Sequence, residues 1–135
     1  ACFLLGAEGV QLGTRFLVAD ECSVHENYKD KIIAANDIAT ITTGKRLGHP
    51  VRSLKTPFSR AYFRAEYSSM TDEELEALGA GALRLAAVEG NLEKGCFLAG
   101  QAAGLVRRRQ PAAEIIREIF EEAENVLSGA GQWIR

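Results

Sequence analysis

The last quarter of the chain shows the clearest hydrophobic pattern. Between residues 112 and 127, apolar side chains recur every three or four positions, which is the repeat of an α-helix with one buried face. These apolar residues are Ile115, Ile116, Ile119, Phe120, Ala123, Val126 and Leu127. Glutamates occupy the opposite side, and Pro111 suits the first turn. The pattern predicts one long amphipathic helix that extends through Leu127.

Two capping-box patterns predict where other helices begin. Ser23 is followed three residues later by Glu26, and Thr71 by Glu74, so that each pair can satisfy free backbone N–H groups. On the first of these helices the apolar and charged residues would lie on opposite faces, with Tyr28, Ile32 and Ala35 inside and Lys29, Asp30 and Lys31 outside. Shorter helices are predicted over residues 58–68, 82–88 and 98–106.

Two short segments have the alternating pattern of β-strands. Residues 38–43, IATITT, alternate apolar and hydroxylated side chains, and residues 51–54 could pair back on them. Pro50 and Pro57 limit the length of the second segment. We expect a small two-stranded ribbon.

A third strand candidate, Gly9–Leu12, runs directly into Gly13-Thr14 and then into a helix that begins near Arg15. Glycine lets a backbone approach a ligand closely, and a helix N-terminus carries partial positive charge. These properties would suit a phosphate group. A turn that only ends a buried strand fits the same residues equally well.

The composition narrows the function classes. The 135 residues are 47% hydrophobic and 25% charged with a net charge of −2, which gives no support to nucleic-acid binding. No apolar run approaches a membrane span of about 20 residues, and no secretory signal is present. The three cysteines, Cys2, Cys22 and Cys96, show neither zinc spacing nor a disulfide framework. We therefore expect reduced thiols in a cytoplasmic protein, and we interpret the basic run 107–109 as a solvated junction.

The run GAEGVQLGTRF at residues 6–16 resembles the eighth strand and following turn of the family of FMN-dependent enoyl-ACP reductases II and nitronate monooxygenases. Four further segments resemble the same family in the same order: HENYKDKII at 25–33, GHPVRSLK at 48–55, GAGALRLAAVEGN at 79–91 and CFLAGQAAGLV at 96–106. The similarity covers nearly the whole chain. Several loosely specific motifs in the right order are more specific than any one of them.

The resemblance implies an α/β parent, an FMN-binding (β/α)8 TIM barrel, of which this chain is a C-terminal fragment. Such a barrel needs about 250 residues. Residues 1–36 would supply the last barrel strand, the phosphate turn and the following helix. Residues 37–135 would supply the β-ribbon and a helical C-terminal region of the same domain, so that the fragment itself is mostly α. The family's proposed catalytic histidine would lie upstream of Ala1, which leaves no catalytic residue in this fragment.

The resemblance also implies a binding role for two sets of residues. Gln11, Leu12, Gly13 and Thr14 would bind the FMN phosphate, mainly through the amides of Gly13 and Thr14. In the segment 48–55, Arg52 and Lys55 would hold the phosphate of an acyl carrier or of NAD(P)H, and His49 would belong to the same substrate loop; a solvated hairpin is the alternative. Gln101, a polar residue in an apolar run, suits a ligand contact or a structural hydrogen bond. No metal-ligand spacing is present.

Three functions remain open from the sequence. The parent could be an enoyl-ACP reductase that reduces trans-2-enoyl thioesters with NAD(P)H, or a nitronate monooxygenase; the isolated chain could be a non-catalytic helical fragment. The segment 48–55 and the glycine-rich stretches favour the reductase. The expected partner is a small-molecule or acyl-carrier thioester substrate, with a homodimer left open and with no nucleic acid or membrane.

Overall fold

The computed structural model describes residues 1–133 of the chain. Its α-helices are α1 Thr14–Leu17, α2 Glu26–Ile33, α3 Pro57–Glu66, α4 Asp72–Gly79, α5 Ala82–Ala87 and α6 Ala112–Gly129. Its strands are β1 Thr40–Thr43 and β2 Val51–Leu54. Short 3-10 helices span Phe3–Leu5, Gln101–Leu105 and Ala130–Trp133. The predictions of a mostly helical chain and of a small ribbon are confirmed.

The ribbon is antiparallel, and a third segment of the chain also forms backbone hydrogen bonds with β2. β1 pairs with β2 so that Thr40 lies opposite Leu54 and Thr43 opposite Val51. Along the free side of β2, the Leu54 N–H donates to the Phe97 carbonyl at 2.8 Å, and the Ala99 N–H donates to the Arg52 carbonyl at 3.1 Å. Residues 97–99 are therefore extended beside the ribbon. The helix predicted over residues 98–106 is wrong in its first part, because backbone pairing with β2 holds that part extended.

The core lies between α2, the ribbon and this extended segment. Ile32, Leu54 and Phe97 are at most 1% exposed. The rings of Tyr28 and Phe97 are in contact, with centroids 4.9 Å apart, and the Tyr28 hydroxyl donates to the Leu98 carbonyl at 2.7 Å. Burial raises the pKa of Tyr28, so this phenol stays protonated. The core thus joins α2 to a segment that lies far away in the sequence.

The start of α2 differs from the prediction. His25, not Ser23, is the N-cap, and its Nδ1 accepts a hydrogen bond from the Asn27 N–H at 3.1 Å. The His25 N–H donates to the Ala87 carbonyl at 2.8 Å, which docks this residue at the end of α5. That tertiary contact fixes where α2 begins. The capping box at Thr71 and Glu74, in contrast, is confirmed at the start of α4.

Lys29 was predicted on the solvent side of α2, and the structure contradicts this. The side chain is buried, and its Nζ donates to the Ala19 carbonyl at 2.9 Å. Glu26 lies 3.8 Å from the same nitrogen. The free carbonyls after α1 supply the acceptors that a buried ammonium needs, and the sequence of α2 does not reveal them.

Two apolar segments lack the packing that their patterns predict. Residues 9–12 form no strand, because the described part of the chain places no other strand beside them to complete the hydrogen bonds. α6 forms as predicted, but Ile115 is its buried residue, while Ile116 and Phe120 are about half exposed, at 48% and 51%.

Candidate functional site

The turn formed by residues 11–14 lies at the start of α1. Gly13 precedes the first helical residue with a φ of −97°, and a Cβ atom built there would meet nothing within 4 Å. The N–H groups of Gly13 and Thr14 have no protein acceptor within residues 1–133. Because the first N–H groups of a helix point away from its body, these two donors are free for an anion.

A single hydrogen bond ties this turn to the distant part of the chain. The Gly100 N–H donates to Thr14 Oγ1 at 2.9 Å, across 86 positions of sequence. Gly100 precedes the 3-10 helix Gln101–Leu105. A threonine hydroxyl that accepts one bond still has its own proton to donate, so Thr14 can support the turn and contact a ligand together.

The turn separates two open cavities that are lined by different charged side chains. On one side, a cavity of about 360 Å³ is lined by Gly13, Thr14, Leu98, Gly100 and the cation Arg52. On the other, a cavity of about 490 Å³ is lined by residues 11–14, by the cation Arg15 and by the carboxylates Glu118 and Glu122. A hydrogen bond from Gln110 and the nearby Arg108 lower the pKa of Glu118, which keeps it ionised. The first cavity has Arg52 and no carboxylate in its lining, whereas two carboxylates outnumber Arg15 in the second, so an anion at the turn is favoured on the side of Arg52.

The structure does not bring the predicted substrate residues together. Arg52 lines the same cavity as Gly13 and Thr14. Its Nη1 donates a hydrogen bond to Thr40 Oγ1 at 3.1 Å. His49 lines a different cavity, beside Tyr62. Lys55 is half-buried just after β2, where its N–H donates to the Ala39 carbonyl at 2.8 Å. Three positions along an extended segment place Arg52 and Lys55 on opposite faces.

Gln101 belongs to a third region. It lines an open cavity of about 470 Å³ together with Asn36, Asp37 and Arg107. The predicted set of His49, Arg52, Lys55 and Gln101 is thus spread over different surfaces. Among them, Arg52 is the residue that the fold places at the turn.

Comparison with known proteins identifies the family of the chain. The model of the nitronate monooxygenase family matches residues 1–122. The chain belongs to this family. It is 34% identical to a nitronate monooxygenase of Neurospora crassa over 89% of this chain and 33% of that protein. It is 31% identical to nitronate monooxygenase npaC of Metarhizium robertsii over 95% of this chain and 38% of that protein.

Two solved structures show the same fold in the matched region. FabK from Thermotoga maritima is 42% identical, with a TM-score of 0.93 over 98% of this chain and 42% of that chain. The nitroalkane oxidase from Streptomyces ansochromogenes is 27% identical, with a TM-score of 0.69 over 93% of this chain and 36% of that chain. The chain spans between a third and about two fifths of these relatives. Its predicted resemblance to both branches of the family is confirmed.

Several residues that support the turn in this member of the nitronate monooxygenase family were missed in the sequence. Arg15 donates to the Gln110 side chain and to the Arg108 carbonyl, which fixes α1 against the segment before α6. Arg109 pairs with Glu26 and Asp30 of α2. The basic run 107–109, expected to be a solvated junction, therefore binds two helices together. Partners about 80 to 95 positions apart leave no local signal.

Two further findings limit the chemistry of the described residues 1–133. They hold no group of three or more His, Cys, Asp or Glu side chains arranged to bind a metal ion. None of their helices combines the length and the apolar character that crossing a membrane requires.

Proposed function

We propose that this chain supplies the phosphate-binding end of an FMN-dependent oxidoreductase with a (β/α)8 barrel. The observation that carries the proposal is the Gly13–Thr14 turn, with two free N–H donors and Arg52 in the lining of the same cavity. A bound FMN would relay a hydride between NAD(P)H and the substrate, while the protein positions and tunes it.

Backbone N–H groups, a hydroxyl and a positive charge would together bind the phosphate. The N–H groups of Gly13 and Thr14 donate to the phosphate, and the Thr14 hydroxyl adds a third donor. Arg52 contributes a positive charge, which roughly doubles the strength of a hydrogen bond to phosphate. On the opposite side of the turn, Glu118 and Glu122 outnumber Arg15 and disfavour an anion. Arg52 is thereby reassigned from the substrate to the cofactor.

We favour an enoyl-ACP reductase of type II, which reduces the trans-2 double bond of an acyl thioester with NAD(P)H. Support comes from the segment 48–55, whose motif resembles the reductase branch, and from the 42% identity to FabK over nearly the whole chain. A nitronate monooxygenase is the second candidate, supported by the family match over residues 1–122 and by the names of the curated relatives.

The cofactor site is tested with Gly13→Val in the full-length protein. A Cβ at Gly13 meets no other atom within 4 Å, so the variant should fold, while its side chain occupies the space of the phosphate. We expect loss of bound FMN, measured by absorbance at equal protein concentration. Gly9→Val is the matched control, since it also meets nothing within 4 Å. A fully yellow Gly13→Val protein would show that the phosphate binds elsewhere.

The role of Arg52 is tested by comparing Arg52→Ala with Lys55→Ala. A charge-assisted bond contributes about 1.5–3 kcal/mol, so Arg52→Ala should weaken FMN binding roughly ten- to a hundredfold. Salt screens partly exposed charges, so the difference should shrink as the ionic strength rises. Lys55→Ala should bind FMN normally. Equal FMN affinity in both variants would exclude Arg52 from the cofactor site.

The two reactions are separated with the FMN-loaded full-length protein. NAD(P)H oxidation that depends on a trans-2-enoyl thioester identifies the reductase. Oxygen consumption that depends on an alkyl nitronate identifies the monooxygenase. Activity with the nitronate alone would reject the reductase while leaving the proposed FMN site intact.

A further inference from the structure

A further cavity, of about 260 Å³, lies between the ribbon and helices α3 to α5, and we call it the ribbon cavity. The loop that joins β1 to β2, residues 44–50, forms one of its walls through Gly44, Leu47 and His49. Leu98 lines both the ribbon cavity and the cavity at the Gly13–Thr14 turn. A molecule in the ribbon cavity would therefore lie next to a cofactor bound at the turn.

The loop 44–50 is closed by its own backbone. The His49 N–H donates to the Gly44 carbonyl at 3.0 Å, and the Gly48 N–H donates to the Lys45 carbonyl at 3.1 Å. Gly44 and Gly48 have positive φ angles of 79° and 76°, which glycine adopts without steric cost. These bonds join the loop into one unit, so a contact made by one of its residues also sets the position of His49.

Arg46 anchors this loop to the helices on the other side of the ribbon cavity. Its Nη2 donates to the Met70 carbonyl at 2.8 Å and lies 2.8 Å from Oδ1 of Asp72, the first residue of α4. Its backbone N–H donates to Oε1 of Glu66, the last residue of α3, at 3.3 Å. Within residues 1–133, no other residue of the loop forms a hydrogen bond or an ion pair with α3, α4 or their connection.

Arg46 acts on the ribbon cavity through the loop and not by contact. The residue is outside the lining, and its side chain is 32% exposed. Without Arg46, the loop keeps the bonds within its own backbone but loses those to the helices. A ligand that binds only when the loop is in place loses affinity in proportion to the fraction of molecules that keep it there.

We propose that Arg46 is a positioning residue, which holds the loop 44–50 against the ribbon cavity and thereby sets the KM for the substrate that binds there. The inference rests on the proposed function, which supplies the substrate. It adds a residue that lies outside both the Gly13–Thr14 turn and the cavity lining. Because Arg46 acts on substrate binding and not on the reacting atoms, its loss should change the KM and leave kcat nearly constant.

Steady-state kinetics of the FMN-loaded full-length protein test the proposal with Arg46→Met. The probe is the crotonyl thioester of N-acetylcysteamine, which carries no charge that responds to Arg46 directly. We expect the KM to rise roughly tenfold, with kcat and FMN affinity unchanged. Lys45→Met is the matched control, because it removes the same charge from the same loop at a side chain with no polar partner within residues 1–133. Its KM should equal that of the parent protein.

Asp72→Asn tests the ion pair by itself, and it also serves if Arg46→Met fails to fold. The loss of one partly exposed ion pair should raise the KM about threefold. Combined with Arg46→Met, the same change should raise the KM no further than Arg46→Met does alone, because both variants remove one contact. Hydrogen exchange of the loop 44–50 should be faster in both single variants, and that of the core around Ile32 should stay the same.

An unchanged KM in Arg46→Met, an equal rise in Lys45→Met, unchanged exchange of the loop, or a fall in kcat as large as that in kcat/KM would each overturn the role of Arg46. If the parent protein oxidises an alkyl nitronate and not the thioester, the KM for the nitronate is compared in the same variants. A parent protein that binds FMN but turns over neither compound would overturn the proposed reaction, and the role of Arg46 with it. The activity of the parent protein thus distinguishes the two failures.

Discussion

The Nζ of Lys29 lies 2.9 Å from the carbonyl oxygen of Ala19, and the same nitrogen is 3.4 Å from the Asp20 carbonyl. Both carbonyls come just after α1. The buried Lys29 ammonium of α2 thus binds the segment just after the C-terminal end of α1. The Gly13–Thr14 turn lies at the other end of the same helix. The orientation of the turn depends on a side chain that does not belong to it.

We expect Lys29→Met to destabilise the protein. Methionine fills similar space but leaves the Ala19 and Asp20 carbonyls without their donor. Loss of a charged hydrogen bond and a buried unsatisfied acceptor should together cost about 1.5–3 kcal/mol in the free energy of unfolding. Urea denaturation measures it. Lys31→Met, about half a turn away from this contact, is the control and should change stability little. Equal losses in the two variants would argue against the bond.

Thr14 provides a second prediction, which separates its hydroxyl from its shape. Thr14→Val removes the acceptor of the Gly100 N–H at nearly constant volume, and Thr14→Ser keeps it. Thr14→Val should therefore lose about 1 kcal/mol of stability and bind FMN more weakly, and Thr14→Ser should retain both properties. Thermal unfolding and FMN titration report the two effects. A serine variant as weak as the valine variant would contradict this role.

Gly104 is predicted to tolerate no side chain. A Cβ atom there would lie 2.7 Å from the carbonyl carbon of Asn36 and 2.9 Å from the Asp37 nitrogen, both of which are backbone atoms. Gly104→Ala should lower stability by about 1–3 kcal/mol, because a packed backbone must shift. Gly131→Ala, where a Cβ meets nothing within 4 Å, should be near neutral. Chemical denaturation of the pair decides, and two neutral variants would refute the close approach.

The start of α6 should depend on pH through Glu21. The Ala112 N–H donates to this carboxylate at 2.9 Å, and this bond lowers the pKa of Glu21 below its ordinary 4.5. A group whose pKa is lower in the folded state stabilises the fold above its unfolded pKa, and this stabilisation is lost as the pH falls through the folded pKa. Glu21→Gln should thus lower the Tm near neutral pH.

The Tm difference for Glu21→Gln should begin to shrink below about pH 4.5, and it should vanish below the lowered pKa of the folded state, where the carboxyl of the parent protein is also neutral. Glu93→Gln removes the same charge in an exposed turn and serves as the control. A difference in Tm that stays constant from pH 7 to pH 3 would contradict the assignment.

Local patterns predicted those features whose causes are local. The Thr71–Glu74 capping box, the pairing of IATITT with residues 51–54 and the helix after Pro111 each depend on neighbours within a few positions. These features are confirmed because hydrogen-bond partners and turn residues are encoded side by side.

The predictions that proved wrong share one physical cause, namely contact partners that lie far away in the sequence. His25 replaced Ser23 as N-cap because Ala87 holds its backbone, and Lys29 is buried because Ala19 lies over it. The same holds for the candidate site: residues 11–14 could be chosen from the sequence, but the approach of Arg52 to them required the fold. A single sequence shows no local pattern for contacts between residues that lie so far apart along the chain.

The bond between Thr14 and Gly100 also has a consequence for the order of events in folding. Its two partners are 86 positions apart. A similar long-range bond is donated by the Asp20 N–H to the Gln110 carbonyl at 3.0 Å. Contacts of such separation form late, because the intervening loop must close first. On the ribosome the turn emerges before the segment around Gly100, and it takes its final shape only after that segment has followed. A nascent chain that ends before Gly100 therefore lacks this support, and competence to hold an anion at the turn arises only after Gly100 has been added.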